Sequence, residues 1–566
     1  MNPALDRWSI ITWIFAAAPK FLSFFVRNGK LFPSCRITRH RCSGRLEASS
    51  RKKAKARQTP KPGRHHLKSN SACVPDINFY GFSRELCGRS VLMDTEPSDP
   101  TQKEPMTLLS SRSSNSESRD ADHLARIAII GRGFTGIMTA IALFKRVDRP
   151  FHLVMFDPRA KIDIGEGISQ PASTVLTSRV RDLSVDPGLP DDFRRWLETD
   201  DTWRDRLISD PAGLEHAFVP GDIFSTYVYK RFSEALTHRP DVIVQFGSDA
   251  VTAIDRHLDG GYSVCLGREQ RTRFDAVFLA TGYGMRDNTD VAPAGGVRSA
   301  VVIGGGIHAV DRALGLLADA KISHVTLISE SGFLPQSHAP AAVGAVVTDQ
   351  PMPRTLRGAF RFLREAASKA DLEGSGWQGI MNGFRSRARD LWAGLTPEER
   401  ARFKRHVKAI YDSHRNRLPP EHYQRLHHAI ASGAIAVRKG KVNCIATNGV
   451  LFSAPTGLEV LPADLTIDCR FRPSGTDSPL VRSLIVAGLA TRDELEIGIV
   501  VDECGRTKAS ALHGLFAMGP LGLGSLPDID LVPQIVLQSH AAASLLNSWI
   551  GETAKARHVA KTFGDA

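Results

Sequence analysis

Two stretches of this chain repeat one pattern of apolar and polar positions. In the first, "RIAIIGRGFTGIMTAIALFKRV" (126–147), Ile127 to Ile130 are continuously apolar, as in a strand buried on both faces. Gly131, Gly133 and Gly136 follow, and Ile137, Ile141 and Phe144 then recur at helical spacing. A second apolar strand, "HLVMFD" (152–157), ends on Asp157, 26 residues after Gly131. In the other stretch, Val301 to Ile303 precede Gly304 and Gly306, and Val310, Ala313, Leu314 and Leu317 mark a helix face. There the next strand, "HVTLISE" (324–330), ends on Glu330, again 26 residues after the first glycine.

Strand, glycines, helix, strand and acid in that order predict a dinucleotide cradle. The first glycine permits the tight turn out of the strand. The second lets a pyrophosphate approach the backbone, and the third lets the helix pack close to the sheet. The helix start offers free N–H groups and partial positive charge to the diphosphate. Arg132, Phe134 and Thr135, between the glycines, line the same cradle, and Asp157 is placed to accept from a ribose hydroxyl. In the second cradle Ala309 takes the third glycine's place. A carboxylate at Glu330 suits a ribose 2′-OH and repels a 2′-phosphate, so NADH is expected over NADPH; the alternative is a second cradle kept as scaffold. A further strand, "FDAVFLATGYG" (274–284), closes on Ala280, Thr281 and Gly282, the kind of segment that links two dinucleotide domains in flavoproteins.

Charge changes the picture only once it is located. The formal net charge is +13, but residues 1–92 hold 18 Lys and Arg against 4 Asp and Glu, which leaves the remainder at −1. Nothing in the body of the chain then calls for a nucleic-acid or membrane partner. The apolar run "WSIITWIFAAA" (8–18) is too short to span a bilayer. Residues 1–124 read as a disordered extension, or as sequence ahead of a start at Met93 or Met106. The eight cysteines form no Cys-x-x-Cys pair, so neither a zinc ribbon nor a redox dithiol is signalled, and their usage fits a cytoplasmic setting. No metal site, Gly-x-Ser-x-Gly or His-Glu-x-x-His is present, and no catalytic residue is assigned. Arg400, Arg402, Lys404 and Arg405 read as a solvated helical face, and "SHRNR" (413–417) is within sequence reach of an acidic ligand or a cofactor phosphate.

Beyond the glycines, residues from about 125 to 545 resemble the FAD/NAD(P)-binding flavoproteins that include single-component FAD-dependent urate hydroxylases. The resemblance runs through "VMFDPRAKIDIGEGI", "DDFRRWL" (191–197), "FVPGDIFSTYV" (218–228), "GFLPQSH" (332–338), "LTPEERARFKRHVKAIYDSHRNRLPP" (395–420) and "LFAMGPLGLGS" (515–525). It implies an α/β fold with two dinucleotide-binding (Rossmann-like) domains and a helical insert. The expected order is an FAD domain at 125–297 and 440–566, an NAD(P) domain at 298–355 and the insert at 356–439. It also implies FAD in the first cradle, with Gly519 and Pro520 beside the flavin and Glu166, between Gly165 and Gly167, near its ring or on the surface. NADH or NADPH would bind in the second cradle, and O₂ and a small-molecule substrate would complete a monooxygenase. A flavin oxidase without nicotinamide and a catalytically silent nucleotide-binding protein are the alternatives. Three places depart from the family: Gly221 stands where arginine is frequent, Glu330 and Ser331 where basic residues are, and Arg470 and Phe471 where Thr-Gly is.

Overall fold

A computed structural model describes residues 124–158, 175–199, 201–257, 261–267, 270–282, 298–318, 322–341, 343–347, 350–470, 478–507 and 514–564. The N-terminal extension and the stretch holding Gly165, Glu166 and Gly167 lie outside the described residues, as does Phe471.

The first apolar run is the central strand of a five-stranded sheet. Ala125–Ile130 pairs with Phe151–Phe156 on one side and Ala276–Leu279 on the other. Ile243–Gly247 and Leu515–Ala517 form the edges, and all four pairings are parallel. Ile127, Ile129, Leu153 and Met155 enter one core cluster, whereas Ala128, Ile130, Val154 and Phe156 enter another. Alternate side chains thus face two different cores, which is why the run cannot alternate with polar residues. On the first face lie the helix Phe134–Arg146 and the long C-terminal helix Val532–Gly564, and its cluster includes Phe278, stacked on Phe516 at 4.6 Å. The second face is covered by the antiparallel meander Val251–Arg256, Tyr262–Leu266 and Gln270–Phe274, and by the helix Pro479–Val486.

The second cradle repeats this plan at smaller scale. Its sheet runs Ile435–Lys439, His324–Ser329, Ser299–Ile303, Leu465–Asp468, all parallel. The helices Ile307–Ala318 and Pro420–Ala431 cover one face. A second meander, Lys441–Ala446, Gly449–Ala454 and Gly457–Pro462, packs Val442, Val450 and Phe452 against Val301 and Ile303 on the other.

This sheet is larger than the sequence expectation of 298–355. Ile435–Lys439 is its edge strand, and residues 441–468 remain with it rather than returning to the first sheet at 440. The reason is pairing: Leu465–Asp468 locks beside Ser299–Ile303, with Val302 opposite Ile467. The first later element in the core of the five-stranded sheet is Pro479–Val486. The insert proper comprises Leu356–Leu372, Gln378–Gly394, Pro397–Arg402 and Lys408–Arg415, with a π-turn at Phe403–Val407. Thr396 and Glu399 close a reciprocal capping box at the start of its third helix.

Candidate functional site: two nucleotide cradles

At the end of the central strand the chain turns sharply. Gly131 adopts φ +107°, a region that favours glycine. A Cβ there would lie 2.4 Å from the carbonyl oxygen of Ala280. The Ala280–Gly282 segment is therefore pressed directly over the turn, joined by an N–H of Ala280 donated to Ile130 at 2.8 Å. A Cβ on Gly136 would sit 2.0 Å from the Gly131 carbonyl oxygen, so the third glycine does set the closeness of helix to strand. The helix begins at Phe134 with Gly133 as N-cap and no acidic residue in its first turn. Nothing of its own charge competes there for an anion.

Asp157 is buried and its Oδ2 accepts the N–H of Arg132 at 2.9 Å, so the acid that closes the second strand also shapes the glycine turn. The guanidinium of Arg132 lies 5.7 Å over the Phe246 ring, and Phe134 packs 5.6 Å from Phe224. Gly519 and Pro520 arrive from the far end of the chain. A Cβ on Gly519 would meet Thr135 Oγ1 at 2.8 Å, and Met518 donates its N–H to Leu279 at 2.9 Å. Gly131, Arg132, Gly133, Phe134, Thr135, Gly136, Asp157, Thr281, Gly282, Gly519 and Pro520 are thus brought to the carboxyl ends of the same parallel strands.

Gln538 has no motif to announce it. Its Oε1 accepts the N–H of Gly519 at 2.8 Å, while its buried Nε2 has no partner among the described residues. The buried Thr281 Oγ1 is in the same condition. Buried polar atoms left without partners at the mouth of a glycine cradle fit a bound polar group.

The second cradle is looser. Gly304 has φ +142°, and a Cβ there would be 3.2 Å from both Ala309 Cβ and the Cys469 carbonyl oxygen. Gly306 has open space around its Cβ direction, as close approach of a ligand to the backbone requires. The unpredicted glycine is Gly305, whose Cβ would strike Ser329 Oγ at 2.4 Å. Glu330 is exposed at the strand end. Arg470, just past the end of Leu465–Asp468 two strands away, feels its charge. It grips Asp468 with two bonds, Nε–Oδ1 at 2.9 Å and Nη2–Oδ2 at 2.7 Å. That hydrogen bonding raises the Arg470 pKa, and Glu330 adds to the effect. The departure from Thr-Gly noted in the sequence has thus put a cation within electrostatic reach of Glu330.

Two parallel sheets, each with a glycine cradle at its carboxyl edge, define a two-Rossmann α/β protein. Residues 128–284 match the model of a family described as FAD-NAD(P)-binding. No curated protein matches the chain. Among solved structures, L-lysine 6-monooxygenase from Pseudomonas syringae is similar at 15% identity and TM-score 0.48, over 75% of this chain and 99% of that one. Kutzneria sp. 744 ornithine N-hydroxylase is similar at 14% identity and TM-score 0.46, over 76% and 100%. Bacillithiol disulfide reductase from Staphylococcus aureus is similar at 13% identity and TM-score 0.41, over 75% and 98%. Among the described residues, no group of side chains could hold a metal ion and no helix is long and apolar enough to cross a membrane.

Proposed function

We propose that this chain is an FAD-dependent oxidoreductase, a monooxygenase that uses a nicotinamide dinucleotide and O₂ to oxygenate a small molecule. The observation that carries the reading is the pair of cradles, the first within the segment that matches the FAD-NAD(P)-binding model. FAD bound in the first would supply the electron transfer and the reaction with O₂. The chain's residues would hold it: the Phe134–Arg146 helix start facing the diphosphate, Asp157 at the ribose, and Thr281, Gly519 and Pro520 along the rest. The open approach to Gly306 supports a nicotinamide dinucleotide in the second cradle. With Arg470 near Glu330, the carboxylate no longer argues for NADH alone, so the reading names either cofactor. The substrate is open between a urate-like heterocycle and an amine. The free thiols Cys265, Cys444 and Cys504 support a cytoplasmic setting.

The test is direct. The purified full chain is expected to be yellow, and its flavin to be bleached anaerobically by NADH or NADPH. Protein that takes up no FAD overturns the reading; yellow protein inert to both nicotinamides makes it an oxidase or a silent binder. Asp157→Ala takes the acceptor from the Arg132 N–H in a half-buried turn, which costs about 1 kcal/mol. FAD titration of the apoprotein should show affinity at least about tenfold weaker.

A further inference from the structure

A group of guanidinium ions gathers where the insert meets the short strand Val175–Arg179: Arg179 and Arg417 are buried and Arg385 is half-buried. Arg417 is 3% exposed. Its Nη2 donates to Asn382 Oδ1 at 2.5 Å and its plane lies 5.7 Å over Trp377. Its Nε is buried without a partner, and no carboxylate among the described residues pairs with it. Arg385, on the helix that carries Asn382, donates to the Arg415 carbonyl at 3.1 Å and pairs with no carboxylate among the described residues. Arg179 is also buried, paired to Asp210 at 2.5 Å and bonded to the carbonyls of His216 and Ala339. Burial and the charges of Arg385 and Arg179 lower Arg417 to about 10, with Asp182 opposing, so it remains a cation at neutral pH.

His338 sits among them. Its ring packs 5.1 Å from Phe218, which also underlies Arg179 at 4.7 Å. Burial, then Arg417 and the other arginines, push its pKa down to about 3, so the ring is neutral. Nε2–H donates to the Thr177 carbonyl at 2.9 Å, which leaves Nδ1 as an acceptor. The imidazole therefore adds a neutral polar wall and no counter-charge.

Burying a guanidinium beside like charges and without a carboxylate is costly, and a bound anion removes the cost. The fork of donors on arginine matches a carboxylate bidentately. The cluster is also tied to the FAD cradle: Arg415, two residues before Arg417, grips Asp528 and Asp530 on the segment that continues from Gly519 and Pro520. We infer that Arg417 and Arg385, flanked by Arg179 and His338, form the subsite for a carboxylate on the small-molecule substrate. This rests on the oxygenase reading and narrows its substrate to an organic acid.

Thermal unfolding of the full chain with benzoate, benzamide or inorganic phosphate tests it. Benzoate should raise the wild-type Tm saturably, and benzamide, of the same shape without charge, should not. Arg417→Gln should bind benzoate at least about tenfold more weakly with FAD content unchanged. Arg417→Lys, which keeps the charge, should retain part of the response and covers a folding failure of the glutamine variant. A wild-type Tm indifferent to benzoate, or an equal response in Arg417→Gln, overturns the inference. Protection by phosphate but not benzoate also overturns the carboxylate assignment. Yellow, nicotinamide-reducible protein that ignores benzoate loses this subsite while the oxygenase reading stands. Colourless protein protected by benzoate through Arg417 keeps the anion site and loses the oxygenase.

Discussion

Gly131→Ala is expected to give a protein that no longer retains FAD and unfolds at markedly lower denaturant. Two costs coincide there. The backbone sits at φ +107°, which an alanine adopts at a cost of about 1–3 kcal/mol. The added Cβ would also lie 2.4 Å from the Ala280 carbonyl oxygen and 2.9 Å from its carbon, both backbone atoms in a paired strand end. Overpacking of that kind costs a further 1–3 kcal/mol or so. Relieving the clash means lifting Ala280–Gly282 off the turn, and that segment is part of the cradle. Gly306→Ala provides the contrast, since its Cβ meets no atom within 4 Å. Its unfolding midpoint should match the wild type while flavin reduction by NADH and NADPH slows. A urea titration followed by flavin absorbance reads both variants, and a Gly131→Ala protein that stays yellow with an unchanged midpoint would refute the account of the turn.

Arg415→Met should cost about 3–5 kcal/mol, the largest loss expected from a single side chain outside the cradles. Arg415 is 7% exposed and shares its guanidinium between Asp528 and Asp530, bidentately with Asp530 at 2.9 and 2.8 Å. Methionine fills much of the space but strands two carboxylates, one of them almost fully buried. Desolvation, countered by those carboxylates, leaves the Arg415 pKa raised well above its ordinary value. The same seam is held by the Trp392 indole N–H on the Gly524 carbonyl at 3.0 Å and by Arg389 on Gln534 at 2.6 Å. Loosening it should free the Gly519–Pro520 segment and lower FAD affinity along with stability. The triple variant that adds Asp528→Asn and Asp530→Asn removes the stranded charges and should recover about half the loss in equilibrium unfolding. No recovery would mean that the seam depends on packing rather than on charge.

Both cradles were legible because their physics is local. A run of apolar residues before Gly-x-Gly-x-x-Gly reports a strand buried on both faces, and the alternation of Ile127 and Ile129 against Ala128 and Ile130 between two cores bears that out. The acid positions Asp157 and Glu330 follow from the same short unit. Other features escaped because they are agreements between distant segments. Arg415 and Asp528 are 113 residues apart, and Gln538 reaches Gly519 from a helix whose sequence is ordinary. Gly305 is constrained by Ser329 Oγ, which arrives on another strand. The second meander's loyalty to the second sheet depends on Val442, Val450 and Phe452 meeting Val301 and Ile303, which no local pattern states.

The sequence by itself determined that there are two cradles, where each begins and which acid closes each strand, since sterics at glycine and the period of burial act over a few neighbouring residues. Only the tertiary structure decided what surrounds them: that Arg470 stands near Glu330, that the insert is bolted to the segment after Pro520, and that Arg417 is buried beside Arg385 with no carboxylate among the described residues paired to it. Charge acts through space and desolvation depends on every segment that packs around a group. A basic stretch such as "SHRNR" therefore reads the same on a solvated helix as in an anion site until the chain has folded.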